Sequence, residues 1–206
     1  MMRVAIAAWL AAAMAVPTFA QERLPPIPPE RMTEAQKKAV EEFRAARNAE
    51  VGGPFAPLLR SPEVMNRARA MGDYLRFKSV LGPHLNEMVI LITAREWSQQ
   101  YEWQAHHTIA LKEGLRREIA DAIADGRRPT GMADDEEAAY DMATEILRLK
   151  RVSDATYQRA VAKFGEQGVI DLLGVTGYYT FLAIVMNATR TGLPEKLAEP
   201  LRRFPE

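Results

Sequence analysis

The sequence predicts an all-α protein, on three observations. Apolar residues recur at helical spacings, helix-starting and helix-stopping residues punctuate each long segment, and no segment shows a convincing strand alternation. The 206-residue length suffices for one well-buried core, so a single domain is expected.

The ends are expected to differ from the middle. Arg3 supplies one positive charge, Val4 to Val16 an apolar run, and Thr18-Phe19-Ala20 small residues at the −3 and −1 positions of a cut after Ala20. This is the layout of a secretory signal peptide over residues 1–20, too short for a comfortable membrane span; an uncleaved N-terminal anchor is the other reading. A periplasmic or secreted protein beginning at Gln21 is therefore expected. Residues 21–32 hold Pro25, Pro26, Pro28 and Pro29 and read as an extended arm. Residues 33–206 are the single helical domain.

Within that domain, Thr33-Glu34-Ala35-Gln36 is a capping box opening a helix to about Arg47. Gly52-Gly53-Pro54 ends that region. Ser61-Pro62-Glu63 supplies an N-cap, a proline at the first helical position and an acid in the first turn. Val64, Ala68, Met71 and Leu75 then mark one buried stripe. A third helix follows Pro83, carrying Leu85, Met88, Val89, Leu91 and Ile92, and a fourth runs from about Gln100 to Glu113 and stops at Gly114. Helices to Asp125 and from Asp134 to Arg151 come next, then one capped by Ser153-Asp154 and ending near Gly165. The stretch Val169 to Met186 contains one charge, Asp171, and is long enough to span a membrane. Its small and polar middle (Gly174, Thr176, Gly177, Tyr178, Tyr179, Thr180) and its lack of basic flanks favour a core or subunit-interface helix.

Composition narrows the function. Without residues 1–20 the chain has 26 basic and 27 acidic residues, which leaves no electrostatic footprint for nucleic acid or an anionic membrane. Zero Cys removes disulfides, a thiol nucleophile, a CxxC redox pair and cysteine zinc sites. A small molecule is the expected partner.

One constellation carries candidate chemistry. Glu102 and His106 stand four residues apart on a predicted helix, so their side chains meet on one face. A carboxylate beside an imidazole favours the protonated ring and can fix its tautomer, which suits proton transfer. The preceding helix could fold back and bring Glu87 to the same place, with Trp97, Tyr101 and Trp103 as apolar walls. Each has a plainer reading. Glu102 and His106 could be a helix-surface pair, Glu87 a buried polar anchor, and Tyr178 and Tyr179 core aromatics unless a hydroxyl reaches the pocket. His107 points about 100° away from His106 and is read as structural, and His84 sits near a helix start. Adjacent histidines on a regular helix cannot both face one ion, so no metal is expected.

These residues are where the chain resembles the carboxymuconolactone decarboxylase/alkylhydroperoxidase D family. Its members carry a Glu on one helix and C-x-x-C-x-x-x-H at the start of the next. Glu87 stands 19 residues before His106, as the family's Glu does before its His, and His106 stands eight residues before the helix end at Gly114. On that register Gln99 and Glu102 occupy the cysteine positions of the peroxidase branch. The decarboxylase branch similarly lacks the pair and places a Glu four residues before its His. Ser61-Pro62-Glu63, Tyr101-Glu102-Trp103, the run from Arg151 to Thr156 and Gly177-Tyr178-Tyr179 recur in longer members.

The resemblance implies an alkylhydroperoxidase D-like helical fold, a homo-oligomer (trimer or hexamer), and no cofactor. It further implies lyase or isomerase proton-transfer chemistry on a small lactone or carboxylated ring, of the kind met in aromatic compound catabolism. His106 would be the general acid/base, Glu102 its orienting partner and Glu87 a second carboxylate. Trp97, Tyr101, Trp103 and Tyr178 would contact substrate. A non-catalytic small-molecule-binding member is the alternative. The peroxidase activity of the redox branch does not carry over, because the cysteines are missing. The family decarboxylase is also a shorter cytoplasmic enzyme, whereas this chain reads as exported and extends further at its C-terminus.

Overall fold

The computed structural model describes residues 21–193 and residue 201, so the expected signal segment 1–20 lies outside the described residues. The described residues form eight α-helices and no strand. These are α1 (Glu34–Arg47), α2 (Phe55–Leu58), α3 (Pro62–Phe77), α4 (Gly82–Glu96), α5 (Gln100–Lys112), α6 (Arg117–Ala124), α7 (Asp134–Leu149) and α8 (Asp154–Thr189). The all-α expectation holds.

Helix α4 is the centre. Every residue from Leu85 to Arg95 is buried, and α3, α5, α6, α7 and α8 all pack on it. A helix that is apolar on all faces is stable only when surrounded, and its few polar residues each need an internal partner. Asn86 Nδ2 donates to Leu75 O at 2.9 Å, and Thr93 Oγ1 donates to Val89 O at 2.9 Å. Arg95 donates to Ala124 O at the C-terminal end of α6, at 3.0 Å. Glu87 turns toward α5.

Helices α4 and α5 make a hairpin. The chain reverses through Ser98, which adopts φ 46°, and Gln99 caps α5 by accepting from Tyr101 N at 2.7 Å. Gln99 Nε2 also donates to Asn187 Oδ1 at 2.7 Å, tying the turn to α8. Helix α8 is broken at Gly165 (φ 69°, ψ 174°), near where the first of two separate helices was expected to end. Past that break, buried Asp171 accepts from Val80 N at 3.0 Å and Tyr74 Oη at 3.3 Å. The single charge of this apolar stretch thus has both a loop amide and a tyrosine hydroxyl as donors.

Two local expectations need correction. The buried stripe of α3 is Met65, Ala68, Gly72 and Leu75, whereas Val64 and Met71 are 43% and 46% exposed. The stripe is rotated because Gly72 belongs to it. A Cβ there would collide with the Tyr178 ring and hydroxyl of α8, so the closest helix approach is marked by a residue with no apolar side chain. Ser61, expected to cap α3, makes no side-chain capping bond. Within the proline-rich arm, residues 21–28 and Met32 lack helix, and Pro29–Arg31 forms a 3-10 turn. The arm lies on the protein's own surface, with Arg23 N donating to Thr189 O at 2.8 Å.

Candidate active site

A cavity of about 700 Å³ opens between α1, α3, α5 and α8, within the range of small-molecule sites. His106 and Glu102 reach it from α5, Tyr178, Tyr179 and Leu182 from α8, Asp73 and Arg76 from α3, and Phe43 and Arg47 from α1.

At its base His106 Nδ1 and Glu87 Oε2 are 2.6 Å apart, both side chains nearly enclosed. A carboxylate only accepts, so Nδ1 carries the hydrogen and Nε2 is left as the nitrogen for a ligand. The Tyr179 ring meets the His106 imidazole edge-on at 5.0 Å, and the Tyr178 ring meets Tyr179 at 5.2 Å. These rings hold the imidazole in one plane. Burial pushes both tyrosine hydroxyls up, Tyr178 to about 12, so both stay neutral donors.

The three residues expected to carry the chemistry come together with changed partners. Glu102 was expected to orient His106; Glu87 makes that bond instead. Neither Glu102 oxygen has a hydrogen-bond partner, although the side chain is buried. Helix geometry places residues four apart on one face but does not decide which acid the imidazole turns to. The hairpin crossing does. Burial without a partner penalises the charged form, so the Glu102 carboxyl is pushed well above the ordinary carboxylate range, toward its neutral form.

Of the expected walls, Tyr101 and Tyr178 line the cavity, while Trp97 and Trp103 do not. Trp97 Nε1 donates to Thr180 Oγ1 at 3.2 Å, pinning the hairpin turn to α8. Trp103 is buried and stacks on His107 at 5.4 Å, on the other side of α5. At 3.6 residues per turn, a residue one position beyond Glu102 points about 100° away, which is why Trp103 misses the cavity. His107 turns away from it for the same reason. Gln99, at the first cysteine position, is a helix cap and a tie to α8. Among the described residues no group of three or more His, Asp or Glu is assembled to hold a metal ion.

The sequence reading missed the basic side of the site. Arg47 packs over the rings of Phe43 and Phe55 (5.4 and 4.7 Å) and pairs with Asp73 at 2.8 Å. Arg69 takes the other oxygen of Asp73 at 2.8 Å. Arg76 stands 3.7 Å from Glu87 Oε1. No local motif announces these residues, because α1 and α3 face α5 across the cavity only in the folded chain.

The residues that form the dyad lie in the part of the chain recognised by comparison. Residues 62–145 match the model of the carboxymuconolactone decarboxylase family. Among solved structures, the chain is similar to an alkylhydroperoxidase AhpD core, a peroxidase-related protein from Ralstonia eutropha JMP134. That match has 17% identity and a TM-score of 0.67, and covers 84% of this chain and 93% of that one. A peroxidase-related protein from Silicibacter sp. TM1040 matches at 17% identity and TM-score 0.64, covering 87% and 94%. A debrominase in complex with 2,3,4-tribromopyrrole matches at 12% identity and TM-score 0.65, covering 85% and 94%. No curated protein matches the chain. At these identities the solved structures establish the fold, and the family model matches residues 62–145. Residues 62–145, which include Glu87, Glu102 and His106, thus match the carboxymuconolactone decarboxylase family model, within a chain that has an alkylhydroperoxidase D-like helical fold.

Proposed function

We propose that the protein is a cofactor-free acid–base catalyst that moves a proton on a small lactone or carboxylated ring compound, as a lyase or isomerase. The observation that carries this reading is the buried Glu87–His106 pair at 2.6 Å, facing a cavity that also receives an unpartnered acid, Glu102.

The roles follow from the geometry. In a decarboxylation the bond from ring carbon to carboxylate breaks, and its electron pair flows through the conjugated double bond onto the lactone carbonyl oxygen. CO2 leaves and a dienolate remains. A proton delivered to carbon then draws that pair back into a new C–H bond. His106 Nε2 is the group that holds and returns the proton, and Glu87 fixes the ring through Nδ1 and balances the imidazolium. Glu102, whose neutral form burial favours, is the hydrogen-bond donor for the developing oxyanion, a task a charged carboxylate could not perform. Isomerisation uses the same groups, with abstraction of a C–H proton replacing loss of CO2.

The test is proton NMR in D2O with α-angelica lactone, following double-bond migration and deuterium incorporation, and with a butenolide carrying a carboxylate on its γ ring carbon, following CO2 loss. Turnover by the wild type and its loss in His106→Gln are expected. No turnover of any probe by the wild type, with binding retained, would replace catalysis by a binding function.

A further inference from the structure

We propose that Arg76 is the anion anchor of this cavity and selects ligands carrying a carboxylate, held beside the Glu87–His106 pair. The proposal rests on the acid–base reading of the same site and adds the group that chooses the ligand.

The three arginines of α1 and α3 near the cavity are not equivalent. Asp73 accepts from Arg47 at one oxygen and from Arg69 at the other, so these two cations share one carboxylate. Arg47 also lies over two aromatic rings. Arg76 is left with a different environment. Its Nε is buried without a hydrogen-bond partner, and its ion pair with Glu87 spans 3.7 Å. Glu87 already spends its other oxygen on His106 at 2.6 Å. A guanidinium presents five N–H donors in a planar fork, and a carboxylate matches two of them at once. A buried donor without a partner is costly, so a ligand that satisfies it binds with that gain.

The surroundings fit a ring acid rather than a free inorganic anion. Tyr178, Tyr179, Leu182 and Phe55 supply apolar faces for a ring, and the buried, unpartnered Glu102 carboxyl, whose neutral form burial favours, is placed to hydrogen-bond a carbonyl. Arg76 also pairs its guanidinium with the face of Phe77 at 5.0 Å, which holds the fork in place without using its in-plane donors. Lys78 lines the same cavity and is the competing cation.

The experiment measures binding of 2-furoate and its neutral isostere 2-furamide to the full protein by calorimetry at pH 7.5, in wild type, Arg76→Lys, Arg76→Gln and Lys78→Gln. The wild type should prefer the acid by roughly ten- to a hundredfold, the span set by a charge-assisted hydrogen bond. Arg76→Gln should abolish the preference, Arg76→Lys should keep part of it, and Lys78→Gln should leave it unchanged. A matching far-ultraviolet spectrum and melting transition are required of each variant, and Arg76→Lys carries the decision should Arg76→Gln not fold. Three results would overturn the proposal: no preference or no furoate binding in the wild type, an intact preference in Arg76→Gln (or, where that variant does not fold, an undiminished one in Arg76→Lys), or its loss in Lys78→Gln. The proton-transfer reading is judged separately, by whether His106→Gln loses turnover while furoate still binds.

Discussion

The chain contains two histidine–glutamate pairs, and they differ in what surrounds them. His84 Nε2 lies 2.9 Å from Glu136 Oε1, and His84 Nδ1 lies 3.0 Å from Glu113 O. Both partners accept, so the two bonds stand together only when both ring nitrogens donate. The other oxygen of Glu136 accepts from Ala133 N at 2.7 Å at the start of α7. This pair is saturated. It ties the start of α4 to the end of α5 and the start of α7, and no ring nitrogen remains for a ligand. His106 uses one nitrogen on Glu87, faces a cavity, and has the unpartnered Glu102 and Arg76 Nε as neighbours in the same site. Exposure alone misleads here: the His84 side chain is 31% exposed and that of His106 only 9%. The difference between a structural pair and a reactive one lies in unsatisfied groups next to open space, not in the pair itself.

Exchanging the two histidines is the strongest way to break that contrast. His106→Gln should cut turnover of a lactone probe by roughly 10²–10⁴-fold, the usual weight of a general acid/base. His84→Gln should leave turnover within about twofold, since its effect on stability is separable from the chemistry. A steady-state comparison of the two variants checks this, and comparable losses in both would dissolve the distinction.

The acids give smaller effects of opposite sign. Glu136→Ala removes the cap of α7 and the His84 partner together, and should destabilise by about 1–3 kcal/mol. Urea denaturation at pH 7 measures it. Glu102→Gln should instead stabilise. A carboxyl pushed upward by burial keeps its full contribution below its unfolded pKa and loses it as pH rises through the raised folded value. Gln keeps the shape and never ionises. The variant should therefore melt higher than wild type at pH 8, by about 2–4 °C for each kcal/mol, with the gap closing toward pH 4. A gap that widens toward acid would mean that Glu102 is charged in the folded protein.

Much of the fold was legible because helix ends are written locally. Thr33 and Gln36 form their reciprocal cap, and Gly114 takes φ 95° beyond the end of α5. The run from Leu85 to Ile92 lacks a polar face and is the central buried helix. Of the site, Glu87, Glu102 and His106 could be named from spacing, and Tyr101 and Tyr178 do line the cavity.

The remainder depended on distances between helices, which no local pattern encodes. Gly72 looks like a gap in an apolar stripe until Tyr178 is found against it. Trp97 and Trp103 neighbour the motif in sequence, yet the rotation of α5 and the turn before it send one ring to Thr180 and the other to His107. The sequence by itself determined that the chain is helical, that thiol chemistry is absent, and that two acids and a histidine lie within one hairpin, because caps, composition and the 3.6-residue repeat act over a few residues. Only the tertiary structure decided that His106 pairs with Glu87, that Glu102 is buried without a hydrogen-bond partner, and that Arg76 faces the same cavity. Hydrogen-bond choice and desolvation depend on which helices meet, and α3, α4, α5 and α8 meet only when the chain is folded.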